Sequence, residues 1–274
     1  MSNAVIINIS ADGVQLQIDD RIGAPVVIKE ACHIDDIDAL CDTIKNALNV
    51  LTVSQLEAAE IFVIEAILYP VTFKKQLCDL FFKTLNCSSA TFLPSPLMHC
   101  IANDISAAIA VEIDYNYITC TPVYDYRILE NGIKVSKRSS RRQNGSRNNS
   151  GNKNTATALT GDTSHNDDDD DEFSLNTLIR NVFEVLPIDI RAILRDRIFL
   201  IGRDVDEILQ AVQPSDLTTG AYKFLISKGS LCGGQHYLDI LRACETSHVM
   251  TVSRNAYNGN WATIPDWYNI KFLS

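Results

Sequence analysis

The chain has 274 residues, 46% of them hydrophobic, and its 24 lysines and arginines against 34 aspartates and glutamates give a formal charge of −10. The run Asp167–Glu172 alone carries −6 of that charge, so the remainder is only mildly acidic and a general nucleic-acid-binding role is disfavoured. The most apolar stretch, Ile61 to Leu68, is interrupted by Glu65 and stopped by Pro70, far short of a bilayer span. A chain of this length buries one large core or two lobes.

In chain order, Val5–Ile9 and Val14–Ile18 read as strands around Ser10-Ala11-Asp12-Gly13. The opening MSNAVIINIS has no basic n-region and reads as strand rather than signal peptide. A third strand is expected at Val26–Ile28. Ile34, Ile37, Leu40, Cys41, Ile44, Leu48 and Leu51 then recur at three and four residues, an amphipathic helix whose start is favoured by Asp35, Asp36 and Asp38. Ile61–Ile64 is a buried strand. Pro70 opens a helix with Phe73, Leu77, Leu80, Phe81 and Leu85 on its apolar face. Ala90–Leu93 is a strand, and Pro96 starts a helix to about Ala102. Ala107–Leu129 reads as two apolar strands joined by a tight turn.

The pattern breaks at Ser136. Residues 136–173 are rich in Ser, Asn, Gly, Thr and charge, with Leu159 the one aliphatic exception. They are basic first (Lys137, Arg138, Arg141, Arg142, Arg147, Lys153) and then acidic. Such a composition does not offset the entropy of ordering, so it is read as a disordered insertion between an N-terminal part, 1–135, and a C-terminal part, 174–274. Ser174 is a helix N-cap candidate, ahead of a stripe of Leu175, Leu178, Ile179, Val182, Phe183 and Leu186. A short helix follows Pro187, with Asp189, Arg191 and Arg195 read as its solvated face. Next come a strand at Ile198–Ile201, a helix at Val205–Val212, a strand at Phe224–Ile226 and a helix at Ser230–Cys244, weakened by Gly233 and Gly234. Val249–Val252 is a strand, and the tail carries Tyr257, Trp261, Trp267, Tyr268 and Phe272. Strands alternating with helices predict an α/β fold.

The eight cysteines, at 32, 41, 78, 87, 100, 120, 232 and 244, form no C-x-x-C pair. Several stand where apolar residues belong, which favours buried free thiols in a reducing compartment and hence the cytosol. Cys32-His33 and His99-Cys100 are adjacent pairs that hint at metal, but adjacent ligands on one element do not easily complete a tetrahedral shell. Gly13 after Asp12 is a hairpin-turn signal. No nucleophile elbow occurs.

The segments in this order resemble the actin-related proteins. The passage Ile61–Glu65, the Pro70 helix and LFFKTLNCSSATFLPSPLMHCI (Leu80–Ile101) carries the resemblance, with the hairpin and its exit Thr121-Pro122-Val123-Tyr124. So do LPIDIRAIL (Leu186–Leu194) followed by Ile198–Gly202, KGSLCG (Lys228–Gly233) and VSRNAY (Val252–Tyr257). Cys120, the LPIDIR run and IPDWYNIKF (Ile264–Phe272) resemble a shortened, divergent fungal branch of that family, associated with dynactin at the pointed end of its short filament. The resemblance implies a truncated actin-like fold of the actin/Hsp70/sugar-kinase ATPase type, with two lobes and the outer subdomains missing or reduced.

It also implies where chemistry would reside. Members that hydrolyse ATP hold its phosphates between glycine-containing hairpins whose bare amides approach closely, with carboxylates acting through Mg²⁺. Here Asn8, Ile9, Ser10 and Ala11 stand at the first hairpin, Asp114 and Tyr115 at the second, and Gly202 is followed by Arg203 and Asp204 rather than a Gly-Thr-Thr turn. No catalytic, cofactor-binding or metal-binding residue is therefore assigned, and no enzyme activity is expected. The expectation is a non-catalytic dynactin subunit that caps the pointed end of the actin-related filament in the cytoplasmic, microtubule-associated cytoskeleton. Its partners would be the filament subunit (centractin) and a dynamitin-type shoulder subunit, with no nucleic acid, membrane insertion or small-molecule substrate, in support of dynein-dependent nuclear migration and spindle positioning. The alternatives are a nucleotide-binding ATPase or kinase of the superfamily with an altered site, and a chromatin-type actin-related scaffold.

Overall fold

The computed structural model describes residues 3–10, 13–19, 26–30, 36–137, 175–202, 205, 222–244, 251–257 and 264. The expected N-cap at Ser174, the pair Cys32-His33, most of the helix expected at Val205–Val212, and Trp261, Trp267, Tyr268 and Phe272 lie outside the described residues. The chain forms two units, one from residues 1–105 with 228–272, the other from 106–227.

In the first unit, β1 (Ala4–Ser10), β2 (Gly13–Asp19) and β3 (Val26–Glu30) make an antiparallel meander. Helix α1 (Ile37–Leu48) and the short α2 (Val53–Glu57) return the chain so that β4 (Glu60–Glu65) pairs parallel to β1. Helix α3 (Val71–Asp79) runs on through a π-helical turn, Leu80–Thr84, and β5 (Ser89–Pro94) pairs parallel to β4. The sheet order is β12-β5-β4-β1-β2-β3, where β12 is Thr251–Ser253.

The side chains explain this placement. Asp36 caps α1, its Oδ1 accepting from Ala39 N at 3.1 Å. The stripe read from sequence turns Leu40, Ile44 and Leu48 inward, all fully buried, with Ile37, Cys41 and Leu51 packed at its margin. Alternate residues of the strands, Val5, Ile7, Ile9, Ile61, Val63 and Phe92, meet this stripe and Leu77 and Phe81. The opposite sheet face receives α4 (Ser95–Ala102) and α7 (Ser230–Ala243), which pack on each other. The two glycines expected to weaken α7 explain how it fits. A Cβ on Gly233 would lie 1.8 Å from Met98 O, and one on Gly234 would lie 2.9 Å from Ile64 Cδ1 and 3.1 Å from Ile6 Cγ2. The helix gives up propensity at these positions to lie against α4 backbone and the sheet.

The segment 251–257 closes this unit. Thr251 and Thr91 hydroxyls meet at 2.7 Å across β12 and β5. Tyr257 OH donates to Asp79 Oδ1 at 2.7 Å, and its ring packs on Phe82 at 5.1 Å between centroids. Arg254 Nη1 donates to Asn86 Oδ1 at 2.7 Å.

The second unit repeats the order of the first. Strands β6 (Ala108–Ile113), β7 (Tyr117–Tyr124) and β9 (Lys134–Lys137) form an antiparallel meander, with β8 (Arg127–Ile128) on the far end of β7. Helices α5 (Leu175–Val185) and α6 (Ile188–Leu194) return the chain to β10 (Ile198–Gly202), parallel to β6, and β11 (Phe224–Leu225) follows parallel to β10. Three antiparallel strands, two helices, then two parallel strands beside the first thus occur twice. The core of this unit joins Ile109, Val111, Ile118 and Cys120 to Leu178, Ile179, Val182 and Leu194.

Two expectations are corrected here. Ser136 and Lys137, assigned to the insertion, form the end of β9, and Ser136 is buried. Arg191 is not part of a solvated face. Its Nε donates to Leu186 O at 2.7 Å and its Nη2 to Glu184 O at 3.1 Å, so it caps the C-terminal carbonyls of α5. Asp189 and Arg195 are exposed.

Two outcomes follow from this packing. Gly233→Ala puts a methyl into Met98 backbone and should cost about 3 kcal/mol, read as a fall in melting temperature of roughly 6–12 °C. His99, enclosed in α4, has its pKa pushed down by burial from 6.5 to about 4. Between those values the unfolded chain binds a proton that the folded chain excludes, so stability is full above about pH 6.5 and is lost as pH falls toward 4, by up to about 3 kcal/mol. Urea midpoints at pH 7 and pH 5 should therefore differ less for His99→Gln than for the unsubstituted chain.

Candidate functional site

The first hairpin pairs without interruption from Ala4↔Asp19 to Ser10↔Gly13, and Gly13 takes φ +115°. Ser10 Oγ donates to Gly13 O at 3.3 Å, so the hydroxyl serves the hairpin. Ala11 and Asp12 lie outside the described residues. Asn8 is 7% exposed and its Nδ2 donates to Gln15 Oε1 at 3.5 Å, across its register partner. A neutral amide in this position offers no negative charge to a metal-bound water. Farther along the same face, Gln17 Nε2 donates to Gln235 Oε1 of α7 at 2.8 Å.

In the second hairpin, Ile113 pairs with Ile118, and Asp114–Asn116 make the turn. Asp114 N donates to Tyr117 O at 2.9 Å, and Asp114 Oδ1 accepts from Tyr115 N at 2.6 Å. The carboxylate thus occupies a backbone amide that a phosphate-gripping turn would leave bare, and its charge opposes an incoming phosphate. No residue from Ile113 to Tyr117 has positive φ, so the turn has no need of glycine. Tyr115 and Tyr117 are 37% and 42% exposed. Glu112 pairs with Thr119, and its Oε2 is closed off from solvent.

The third point is Gly202, at the end of β10 opposite Ile113. It has φ +101°, and a Cβ there would lie 2.3 Å from Ile113 O. Packing of one strand end on the next is enough to require this glycine. Arg203 and Asp204 lie outside the described residues.

In the sequence Glu65 interrupts an apolar run and ends the segment Ile61–Glu65. The structure buries it, 1% exposed, in an ion pair with Lys74 of α3, itself 8% exposed. The Lys74 ammonium also lies 5.5 Å from the centre of the Phe92 ring. The available signal was a lysine between Phe73 and Leu77 on the apolar side of α3. A pair this enclosed neutralises itself, and removing one partner strands the other.

His99 and Cys100 are core residues, and burial pushes the Cys100 thiol up to about 12. Cys78 is likewise pushed up to about 12, by burial first and then by Asp79 and Glu65. The described cysteines are free thiols. Among the described residues no group of three or more His, Cys, Asp and Glu could hold a metal ion, and no helix is long and apolar enough to cross a membrane. The hairpin geometry gives one direct test. Gly202→Ala combines the clash at Ile113 O with an unfavourable φ and should destabilise the fold by about 2–4 kcal/mol in denaturant titration.

No family model matches the chain. Among curated proteins it is similar to "Actin-like protein ARP10" of Saccharomyces cerevisiae, 27% identical over 215 residues, which cover 78% of this chain and 75% of that protein. With that similarity and the same strand–helix order built twice, the chain resembles the actin-related proteins, ARP10 in particular, and has a truncated, actin-like α/β fold.

Proposed function

We propose that this chain is a non-catalytic, actin-like subunit that caps or stabilises the pointed end of the actin-related filament of dynactin. The observation that carries this reading is the second hairpin, where Asp114 Oδ1 accepts from Tyr115 N and so places a carboxylate on an amide that a triphosphate would need. The amide of Asn8 at the first hairpin supports it, as does the similarity to an actin-like protein.

The mechanism is geometric. An actin-like surface docks on the terminal filament subunit (centractin), and the reduced outer subdomains leave no surface on which a further protomer adds. A dynamitin-type shoulder subunit is the second contact. The setting is the cytoplasmic, microtubule-associated cytoskeleton, and the output is dynein-dependent nuclear migration and spindle positioning.

Two measurements on the purified chain test this. Titration with a fluorescent ATP analogue and Mg²⁺ should give no saturable binding in the micromolar range, and substoichiometric chain should slow growth of actin-related filaments at the pointed end. Saturable, Mg²⁺-dependent binding with turnover would replace this reading by that of an ATPase with an altered site. Co-purification with chromatin-remodelling subunits instead of dynactin would replace it by a nuclear scaffold.

A further inference from the structure

One side of α7 carries two metal-ligating residues a single turn apart. At about 100° per residue, Cys232, His236, Asp239 and Ala243 share that side of the helix. The opposite side holds Gly233, Gly234, Tyr237 and Leu238, all buried. Asp239 and Ala243 are exposed, and Cys232 and His236 are half-buried, so both ligating side chains reach solvent. Cys232 Sγ and His236 Nε2 lie 3.8 Å apart. Cys78, Cys87, Cys100, Cys120 and His99, by contrast, are buried.

That separation is close to the edge of a zinc tetrahedron. A Zn–S bond of about 2.3 Å and a Zn–N bond of about 2.0–2.1 Å place their donor atoms about 3.6 Å apart. Ligands at i and i+4 on one helix are an arrangement that zinc uses, and Cys232 is a free thiol. Asp239, one turn beyond His236 and 59% exposed in its side chain, adds negative charge that draws a cation to this side. Its Oδ1 is engaged by Gln235 Nε2 at 3.1 Å and lies 3.9 Å from Arg242 Nη1, so it supports the pair without joining it. Among the described residues no third His, Cys, Asp or Glu completes a metal-holding group with the two. A structural zinc is closed by four ligands, so the pair is half a shell. Two-fold association supplies every ligand twice. The result is two sulfurs and two nitrogens, a tetrahedral set that suits zinc. The two thiol protons leave to solvent, and the two thiolates balance the charge of Zn²⁺.

We propose that Cys232 and His236 form half of a zinc site, which a second copy of this chain completes with the same two residues. The test is a titration of the full, metal-free chain with Zn²⁺ and, in parallel, with Co²⁺. Half an equivalent of zinc per chain should double the mass seen in sedimentation velocity, and a chelator should reverse the change. Cobalt at the same ratio should give the strong visible absorption of a tetrahedral ion, with a thiolate-to-metal band in the near ultraviolet. Cys232→Ser and His236→Asn should each weaken zinc binding at least about tenfold. Both should stay monomeric at a zinc concentration that dimerises the unsubstituted chain, with melting temperature unchanged. His236→Cys, which exchanges one zinc ligand for another, should keep the zinc-linked dimer. If the serine or asparagine variant melts lower, the cobalt spectrum of the unsubstituted chain decides, and absence of the thiolate band overturns the site. A mass that zinc does not change overturns it too, as does zinc-linked dimerisation that survives both Cys232→Ser and His236→Asn. None of these results bears on the capping reading, which rests on the hairpins.

Discussion

Backbone-to-backbone contact between α7 and α4 is the constraint on which the first unit rests. Only glycine at 233 lets α7 approach Met98 O, and only glycine at 234 leaves room for Ile6 and Ile64 beneath it. That contact brings residues 228–257 back to a sheet whose other strands are complete by Pro94. Tyr257 on Asp79 and Arg254 on Asn86 then fasten the returning chain. The cost in helix propensity is about 1 kcal/mol per glycine, small beside the apolar area that a close helix–sheet contact removes from water.

The hairpins show how a fold tolerates change in its turns. In an antiparallel pair the register needs only alternating apolar residues, which Ile109, Val111 and Ile113 supply opposite Ile118 and Cys120. The turn is free to change as long as its own amides find acceptors. Asp114 supplies one, and the turn becomes self-sufficient. Gly202 survives beside it for a reason internal to the sheet, so a glycine at a family position is not by itself a trace of ligand binding.

Much of this architecture was legible in the sequence. The α1 stripe, the apolar run of β4, the proline-led starts of α3 and α4 and the hairpin strands all bury through a period that a short window reveals. Asn8, Asp114 and Tyr115 were equally legible as hairpin residues, whereas the hydrogen bonds that they make were not. The strand β9 was missed because Lys134–Lys137 carries one large apolar residue, and its pairing is set by β7 across a turn and β8. The cap formed by Arg191 joins a helix start to the end of the previous helix, which no periodicity encodes. The Glu65–Lys74 pair was hidden for the same reason, with both charges set among apolar neighbours on separate elements. The glycines of α7 read as a weakness because their benefit lies on α4 for Gly233 and on β1 and β4 for Gly234, all more than a hundred residues earlier.

The first unit is discontinuous, and this has a consequence for how the polypeptide matures. During synthesis the N-terminal sheet emerges early but waits for its last strand and for α7, whereas the unit formed by residues 106–227 is complete sooner. Until residue 257 leaves the ribosome, the β5 edge and the face awaiting α7 are uncovered, the kind of surface that chaperones hold.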